Sequence, residues 1–485
     1  MNTEKQILFS GVFWSFIGQI LFMAILFLTN IILARKLTPE QFGQVGIVMF
    51  FVLFANVLVE SGLGGALVRK IDATKKDYST VFTFNLALCI LIYFLIAGAA
   101  NYIAQFYENP NLEDIIYVIG LIILLNGFQI VHNAKLIKES LFKRLSTYRV
   151  FSVLISSLVG IYLAYVTEAG VWSIVWMQVL NVLLFTLCLN IFHNRFYGLN
   201  FHVESFKELY KFGINTTVAS LLTSVFDNIY NLVLGKYFSI SQTGQFYQGK
   251  KLQEVPYKVL NTLLQGPIFS SLSRVQTNTS EFLVFYKKIF QSLLLVSILL
   301  TSLIFIFAKE IILLTYGVKW LPAVFYIKFL VVISFFNLLE MYKRVVFKVF
   351  NKTKIILKLE ILKKSIQTIS IFLGIFYESL ALLMFGFLIT AILSYIFNLL
   401  AIKKIVKLDQ KQEVLLTLKV IVINLICSGV ILILFRYYEF NSLQKLIALL
   451  AYLISYFFTI QIFRIANIRE DVNSIIILLK KNSIL

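Results

Sequence analysis

The chain has 485 residues, of which 59% are hydrophobic, 15% aromatic and only 14% charged, and its mean hydropathy is +0.86. That composition excludes a water-soluble globule with a polar surface and points to an integral membrane protein. The formal charge of +20 is read by its placement and not as a nucleic-acid footprint, because excess Lys and Arg is what the cytoplasmic loops of membrane proteins carry.

Helices do the spanning, not a barrel. The stretches 13–33 and 293–307 are apolar on every face, whereas a barrel would show short alternating segments with a polar lumen side. The opening MNTEKQ is followed by a long apolar run with no small-residue cleavage site, so it is expected to be a retained first span. About fourteen spans are expected, near 11–34, 42–68, 79–106, 113–133, 150–166, 170–192, 212–235, 244–272, 289–308, 322–342, 361–377, 379–402, 414–435 and 443–463. The eighth is interrupted by Lys250, Lys251, Glu254 and Lys258, and a dense Lys series invades the region 343–378.

Loops after even spans are basic. They carry Arg69, Lys70, Lys75 and Lys76, then Lys135, Lys138, Lys143, Arg144 and Arg149, then Lys343, Arg344, Lys348, Lys352 and Lys354, then Lys403, Lys404, Lys407 and Lys411. Loops after odd spans, such as YENPNLED at 107–114 and TEAG at 167–170, hold acids and no Lys or Arg. The positive-inside rule then places both termini in the cytoplasm, with Arg464, Arg469, Lys480 and Lys481 of the tail in agreement.

A helical hairpin occurs twice. NIILARKLTPEQFGQVGIVMFFVLFANVLVESGLGGAL from Asn30 and NLVLGKYFSISQTGQFYQGKKLQEVPYKVLNTLLQGPI from Asn231 align without a gap, pairing Asn30 with Asn231, Gly43 with Gly244 and Gly65 with Gly266. In each, an apolar helix closes on a basic residue, Arg35 or Lys236, before a short turn and a second apolar helix. The repeat divides the chain into six-helix lobes over 1–205 and 206–410, related by a pseudo-two-fold along the membrane normal, and two additional C-terminal helices in 411–485. A site is expected between such halves, near the midplane.

Ionisable groups inside a span are costly and so are candidates for function. Asp227 lies deep in the seventh span with Asn228 and Asn231 beside it, and Glu60 lies in the second span one turn after Asn56. Either carboxylate suits a proton or a cation, or else a helix-packing contact. In the eighth span Lys250, Glu254 and Lys258 stand one turn apart and can neutralise one another, leaving Lys251 uncommitted. Such a cationic cavity would suit an anionic lipid-linked diphosphate, or these residues mark a span end at the headgroups. Pro256 beside them suggests an irregular helix lining a passage.

The small residues Gly43, Gly46, Gly62, Gly64 and Gly65 read as sites of close helix contact or bending. Cys89, Cys188 and Cys427 sit in apolar runs without pairing or ligand spacing and read as buried. His132, His193 and His202 fall in or near cytoplasmic loops and form no ligand cluster. No G-x-x-x-x-G-K-[ST] motif occurs, so energy must come from a gradient, H+ or Na+, or from the substrate.

ILARKLTPEQFGQVGIVMFF with VESGLGGALVRK, then KESLFKRLS, LYKFGINTTVASLLTSVFDNIYNLVLGKYFSISQTGQFYQGKKLQEVP, PIFSSLSRVQ and AKEIILLTYGVKWLPA, resembles the Wzx-type lipid-linked oligosaccharide flippases of the multidrug/oligosaccharidyl-lipid/polysaccharide superfamily, in the colanic- and teichuronic-acid branch. The resemblance covers about the first 350 residues. It implies a fourteen-span, two-lobed MATE-like fold and no catalytic residues. It also implies alternating-access translocation of an undecaprenyl-diphosphate-linked repeat unit across the bacterial inner membrane, with polysaccharide polymerase and chain-length machinery as possible partners. On this likeness Asp227 falls at a common acidic position and Lys251 at a frequent basic one, while Lys250 departs from the pattern. The competing readings are a cation-coupled drug antiporter of the same superfamily, which would need a compact proton site at Asp227 or Glu60, and a membrane-embedded polymerase or ligase, which would need a sizeable periplasmic loop. A purely structural partner of the export machinery would leave the intramembrane charges unexplained. The substrate- or ion-binding candidates are thus Arg35, Asn56, Glu60, Asp227, Asn228, Asn231, Lys250, Lys251, Glu254 and Lys258.

Overall fold

The computed structural model describes residues 3–60, 62–191, 198–403, 405–406, 410–438 and 440–462, excluding the side chains of 3–10, 12, 211–219, 436 and 442. His193, Lys404, Lys407, Arg464, Arg469, Lys480 and Lys481 lie outside the described residues. Among the described residues the chain is helical, without strands.

The first half comprises α1 (Thr3–Lys36), α2 (Pro39–Glu60), α3 (Leu63–Arg69), α4 (Lys75–Phe106), α5 (Asn111–Lys138), α6 (Phe142–Tyr165), α7 (Trp172–Ile191), α8 (Val203–Tyr237), α9 (Ile240–Leu263) and, after a π-helical segment Leu264–Ile268, α10 (Phe269–Arg274). The second comprises α11 (Thr279–Ile306), α12 (Ala308–Thr315), a 3-10 turn Val318–Trp320, α13 (Ala323–Val349), α14 (Thr353–Phe376), α15 (Leu380–Ile402), α16 (Gln410–Tyr437) and α17 (Ser442–Ile462). Among the described residues, eleven segments are long and apolar enough to cross a membrane, the α2–α3 pair counting as one. The helices α8, α9 and α14 stand at the other three expected positions. Charge makes α9 and α14 less apolar than the eleven: α9 carries Lys250, Lys251, Glu254 and Lys258, and α14 carries Lys354, Lys358, Glu360, Lys363 and Lys364. Large apolar side chains such as Phe94, Leu95, Phe372 and Ile454 are exposed, as on a surface that faces lipid.

The hairpin repeat is reproduced in the backbone. α1 ends at Lys36 and α8 at Tyr237, α2 begins at Pro39 and α9 at Ile240, each pair at the spacing that separates Asn30 from Asn231. Both second helices then lose regularity at matching places: α2 stops at Glu60 before a left-handed Gly62, and α9 gives way to the π segment at Leu264. The irregularity expected at Pro256 is displaced; α9 runs through that proline and changes only around Gly266 and Pro267.

The chain forms two compact units, Met1–Gln248 with Thr315–Trp320, and Gly249–Leu314 with Leu321–Leu485. In the first, an apolar core is built from α2, α4, α5 and α7 around Val48, Val52, Ile119 and Val175. In the second, α11, α13, α16 and α17 enclose Tyr286, Tyr342, Tyr452 and Tyr456 with aliphatic neighbours. Cys89, Cys188 and Cys427 are buried free thiols.

Candidate functional site

Within the first unit, the break in α2 borders two adjoining cavities of about 280 and 380 Å3 that share Glu60, Ile130 and Asn133. Asn56 and Glu60 lie one turn apart on α2 and both line the larger one. They are joined there by residues not singled out in the sequence: Asn126, Gln129 and Asn133 on α5, and Gln178 and Asn181 on α7. The signal was available, since positions 126, 129 and 133 and positions 178 and 181 fall at helical spacing on one face of each helix. Asn126 donates to Asn56 Oδ1 at 2.7 Å, and Gln129 donates to Thr186 Oγ1 at 2.7 Å and Val182 O at 3.1 Å. Asn133 Oδ1 is buried without a hydrogen-bond partner among the described residues.

Arg35 has a different setting. It closes α1, where helix-end carbonyls need outside partners, and the Thr315–Trp320 segment supplies them. Trp320 Nε1 donates to Ala34 O at 2.8 Å and Lys319 Nζ to Arg35 O at 2.9 Å, while Arg35 Nε donates to Thr315 O at 2.9 Å. Asn30, one turn deeper, donates to Gln248 Oε1 at 2.7 Å and Tyr316 OH at 3.2 Å. Arg35 is thus part of a structural clasp. Trp320 is fully buried and edge-on to Phe42 at 5.4 Å. Trp320→Phe keeps a six-membered aromatic ring but loses the bond and part of the buried volume, and is expected to lower stability by about 1–3 kcal/mol in thermal unfolding of the purified chain.

The acids of the odd-numbered connections pair with the bases that close these hairpins. Lys36 meets Glu168 at 2.8 Å and Lys236 meets Glu108 at 3.1 Å, exposed pairs of small energetic value.

Asp227, Asn228 and Asn231 belong to the first unit and Lys250, Lys251, Glu254 and Lys258 to the second. Asp227 is exposed on α8, Asn228 donates to Ser224 O at 3.0 Å, and Asn231 is buried. On α9, Glu254 pairs with Lys258 at 2.6 Å, as the spacing allows. Lys250 and Lys251 are half-buried and neither is without a partner, so Lys251 is not uncommitted.

The second unit holds a buried ionic network that loop counting assigned to the cytoplasmic surface. α13 continues to Val349, so Lys343, Arg344 and Lys348 are helical. Lys343 is 0% exposed and binds Glu413 and the Tyr286 hydroxyl. Tyr286 OH donates to Glu413 at 2.9 Å. Beside it, Arg344 pairs with Glu340 and Glu360, and Lys363 with Glu340 at 2.8 Å, tying α13 to α14. His132, expected near a loop, is buried on α5 with Nδ1 3.0 Å from Phe128 O.

Residues 32–325, more than half of the chain, match the family model described as polysaccharide biosynthesis protein. The chain belongs to this family. Among its relatives, the lipopolysaccharide biosynthesis protein WzxC of Escherichia coli K12 is 20% identical over 323 residues, 65% of this chain and 64% of WzxC. The teichuronic acid biosynthesis protein TuaB of Bacillus subtilis 168 is 22% identical over 343 residues, 70% of each chain. The match therefore spans a little under two thirds of WzxC. Among solved structures, the lipid II flippase MurJ in an inward closed conformation superimposes with a TM-score of 0.73 at 15% identity, covering 96% of this chain and 100% of MurJ. An inward-facing MATE multidrug transporter of the MOP superfamily gives 0.62 at 16% identity, covering 79% and 95%. At these identities the two establish the fold: this family member is an all-α, multi-pass membrane protein with the MATE/MurJ architecture.

Proposed function

We propose that the protein is a flippase, without catalytic residues or cofactor, that moves undecaprenyl-diphosphate-linked oligosaccharide repeat units across the bacterial inner membrane by alternating access, for surface polysaccharide synthesis. The observation that carries the reading is membership of the polysaccharide biosynthesis family on a MurJ-like fold over nearly the whole chain. Proteins whose names place them in lipopolysaccharide and teichuronic acid synthesis are its sequence relatives. Both termini lie in the cytoplasm on this reading, and membrane lipids and a downstream polymerase are its partners. The connections 37–38, 107–110, 166–171 and 377–379 are short, which leaves little room there for the outer catalytic loop of a polymerase.

Asp227, an exposed carboxylate on α8 at the position of the expected seventh span, is the residue assigned to coupling with H+ or Na+. A strain that lacks its repeat-unit flippase but makes the cognate lipid-linked sugar tests both. Wild type is expected to restore surface polysaccharide, and Asp227→Asn, inserted at an equal level, to restore at most a tenth as much. Failure of the wild type with its cognate sugar genes defeats the flippase reading. Full restoration by Asp227→Asn defeats only the assignment of coupling.

A further inference from the structure

The amide-lined cavity of the first unit has a chemistry that a diphosphate does not fit. Glu60 lines both hollows, and among the described residues no Lys or Arg lines either. An anionic headgroup would meet the Glu60 carboxylate there, with no cation among the described lining residues to offset the repulsion. Six neutral amides line the larger hollow instead: Asn56, Asn126, Gln129, Asn133, Gln178 and Asn181. Each presents a donor and an acceptor on one planar group.

Amides buried in a membrane helix serve packing when they find partners in neighbouring helices. Asn56, Asn126 and Gln129 do so. Asn133 Oδ1 does not. The volumes, about 280 and 380 Å3 for two adjoining hollows, reach the roughly 300–1,000 Å3 typical of small-ligand sites. Gly62, left-handed at φ 65° where α3 begins, lines the smaller hollow, and irregular backbone of this kind occurs in spans where they line a polar space.

The geometry points to a carbohydrate subsite. A neutral sugar ring, part of the lipid-linked repeat unit, lies in this cavity with its hydroxyls donating to and accepting from the amides of α5 and α7, and with Glu60 accepting from a further hydroxyl. Sugar hydroxyls, each a donor and an acceptor, are the complement of paired amide groups. The cavity therefore reads the sugar and not the diphosphate common to all such lipids. This inference rests on the flippase reading above.

The test uses the purified full chain and two probes: undecaprenyl diphosphate, and the same lipid carrying the repeat unit, extracted from membranes of the organism. Binding of each is measured for wild type, Gln178→Leu and Asn181→Leu. Wild type is expected to bind the glycosylated lipid more tightly, and each substitution to remove roughly three- to tenfold of that preference, the equivalent of one hydrogen bond. Affinity for undecaprenyl diphosphate is expected to stay unchanged. If folded variants keep the full preference, or weaken both lipids alike, the cavity does not read sugar. A wild type that binds both lipids equally overturns the proposal in the same way. A wild type that binds neither lipid defeats the flippase reading itself. Should a leucine variant fail to fold, Asn181→Ser and Gln178→Ala are expected to give the same loss of preference, and its absence overturns the proposal.

Discussion

Glu413→Ala is expected to destabilise the protein by about 3–5 kcal/mol, the usual result of stripping the partner from a buried ion. Lys343 is fully enclosed on α13. Its ammonium is held by Glu413 in the first turn of α16 and by the hydroxyl of Tyr286 on α11, and it lies over the Phe290 ring at 4.4 Å from the centroid. The tyrosine accepts from the lysine and donates to the carboxylate at 2.9 Å, so each member of the triad satisfies another. Tyr342 adds a bond from its hydroxyl to Tyr286 O at 2.8 Å. Without the carboxylate, a charge remains among aromatic rings with one neutral acceptor and no counter-ion. The pair itself need not be a source of net stability, because desolvating two charges costs about what their attraction returns. Lys343→Met combined with Glu413→Gln is therefore expected to recover most of what Glu413→Ala loses. Thermal unfolding of the purified variants measures both. A Glu413→Ala protein as stable as wild type would show that water reaches Lys343.

The second large effect is expected at Gly43 and Gly244, aligned members of the hairpin repeat. A Cβ on Gly43 would collide with the carbonyl oxygen of Ile240, and a Cβ on Gly244 with the carbonyl oxygen of Pro39. Pro39 and Ile240 are themselves the matched first residues of α2 and α9, so the contact is reciprocal and follows a local two-fold within the first unit. Further along, Gly46 faces the ring of its counterpart Tyr247, where a Cβ would come to 3.4 Å. A backbone carbonyl cannot swing aside as a side chain can. Gly43→Ala or Gly244→Ala must part the two helices, at a cost at or above the upper end of the roughly 1–3 kcal/mol of an overpacked core. The control is internal: Gly65 and Gly266, also matched in the repeat, have nothing within 4 Å of an added Cβ. Gly65→Ala and Gly266→Ala are expected to fold like wild type. Equal tolerance at all four positions would show that the α2–α9 contact is loose.

Much of this architecture is legible in the residues. The hairpin ends follow the repeat because a short turn comes after Lys36 and again after Tyr237, and local signals of that kind survive folding. Spans were clear where hydropathy was continuous and poorly bounded where it was not. α6, α8 and α14 begin at Phe142, Val203 and Thr353, well before their apolar runs, because a helix continues past the residues that lipid requires. Lys343 was misplaced for a related reason. A lysine near a helix end looks like a loop charge until its acid is known, and Glu413 stands 70 residues away in the chain. The amides of the cavity leave no ionic mark in the sequence, because Asn and Gln carry no charge and are common in loops and helices alike. Glu60 and Asn56 marked one wall, and the remaining walls come from α5 and α7, which only the fold brings to α2. Of the glycines expected to permit close contact, Gly43 does so and Gly65 does not; spacing alone cannot tell which face of a helix meets a neighbour.

The most direct measurement is transport by the purified chain in vesicles loaded with the undecaprenyl-diphosphate-linked repeat unit. An impermeant oxidant added outside reports the sugar diols exposed on the outer leaflet. Oxidation is expected to stop at the outer-leaflet fraction in protein-free vesicles and to approach completion when the chain is present. Oxidation that stops at the protein-free level, with folded chain inserted and its cognate lipid supplied, would contradict the account.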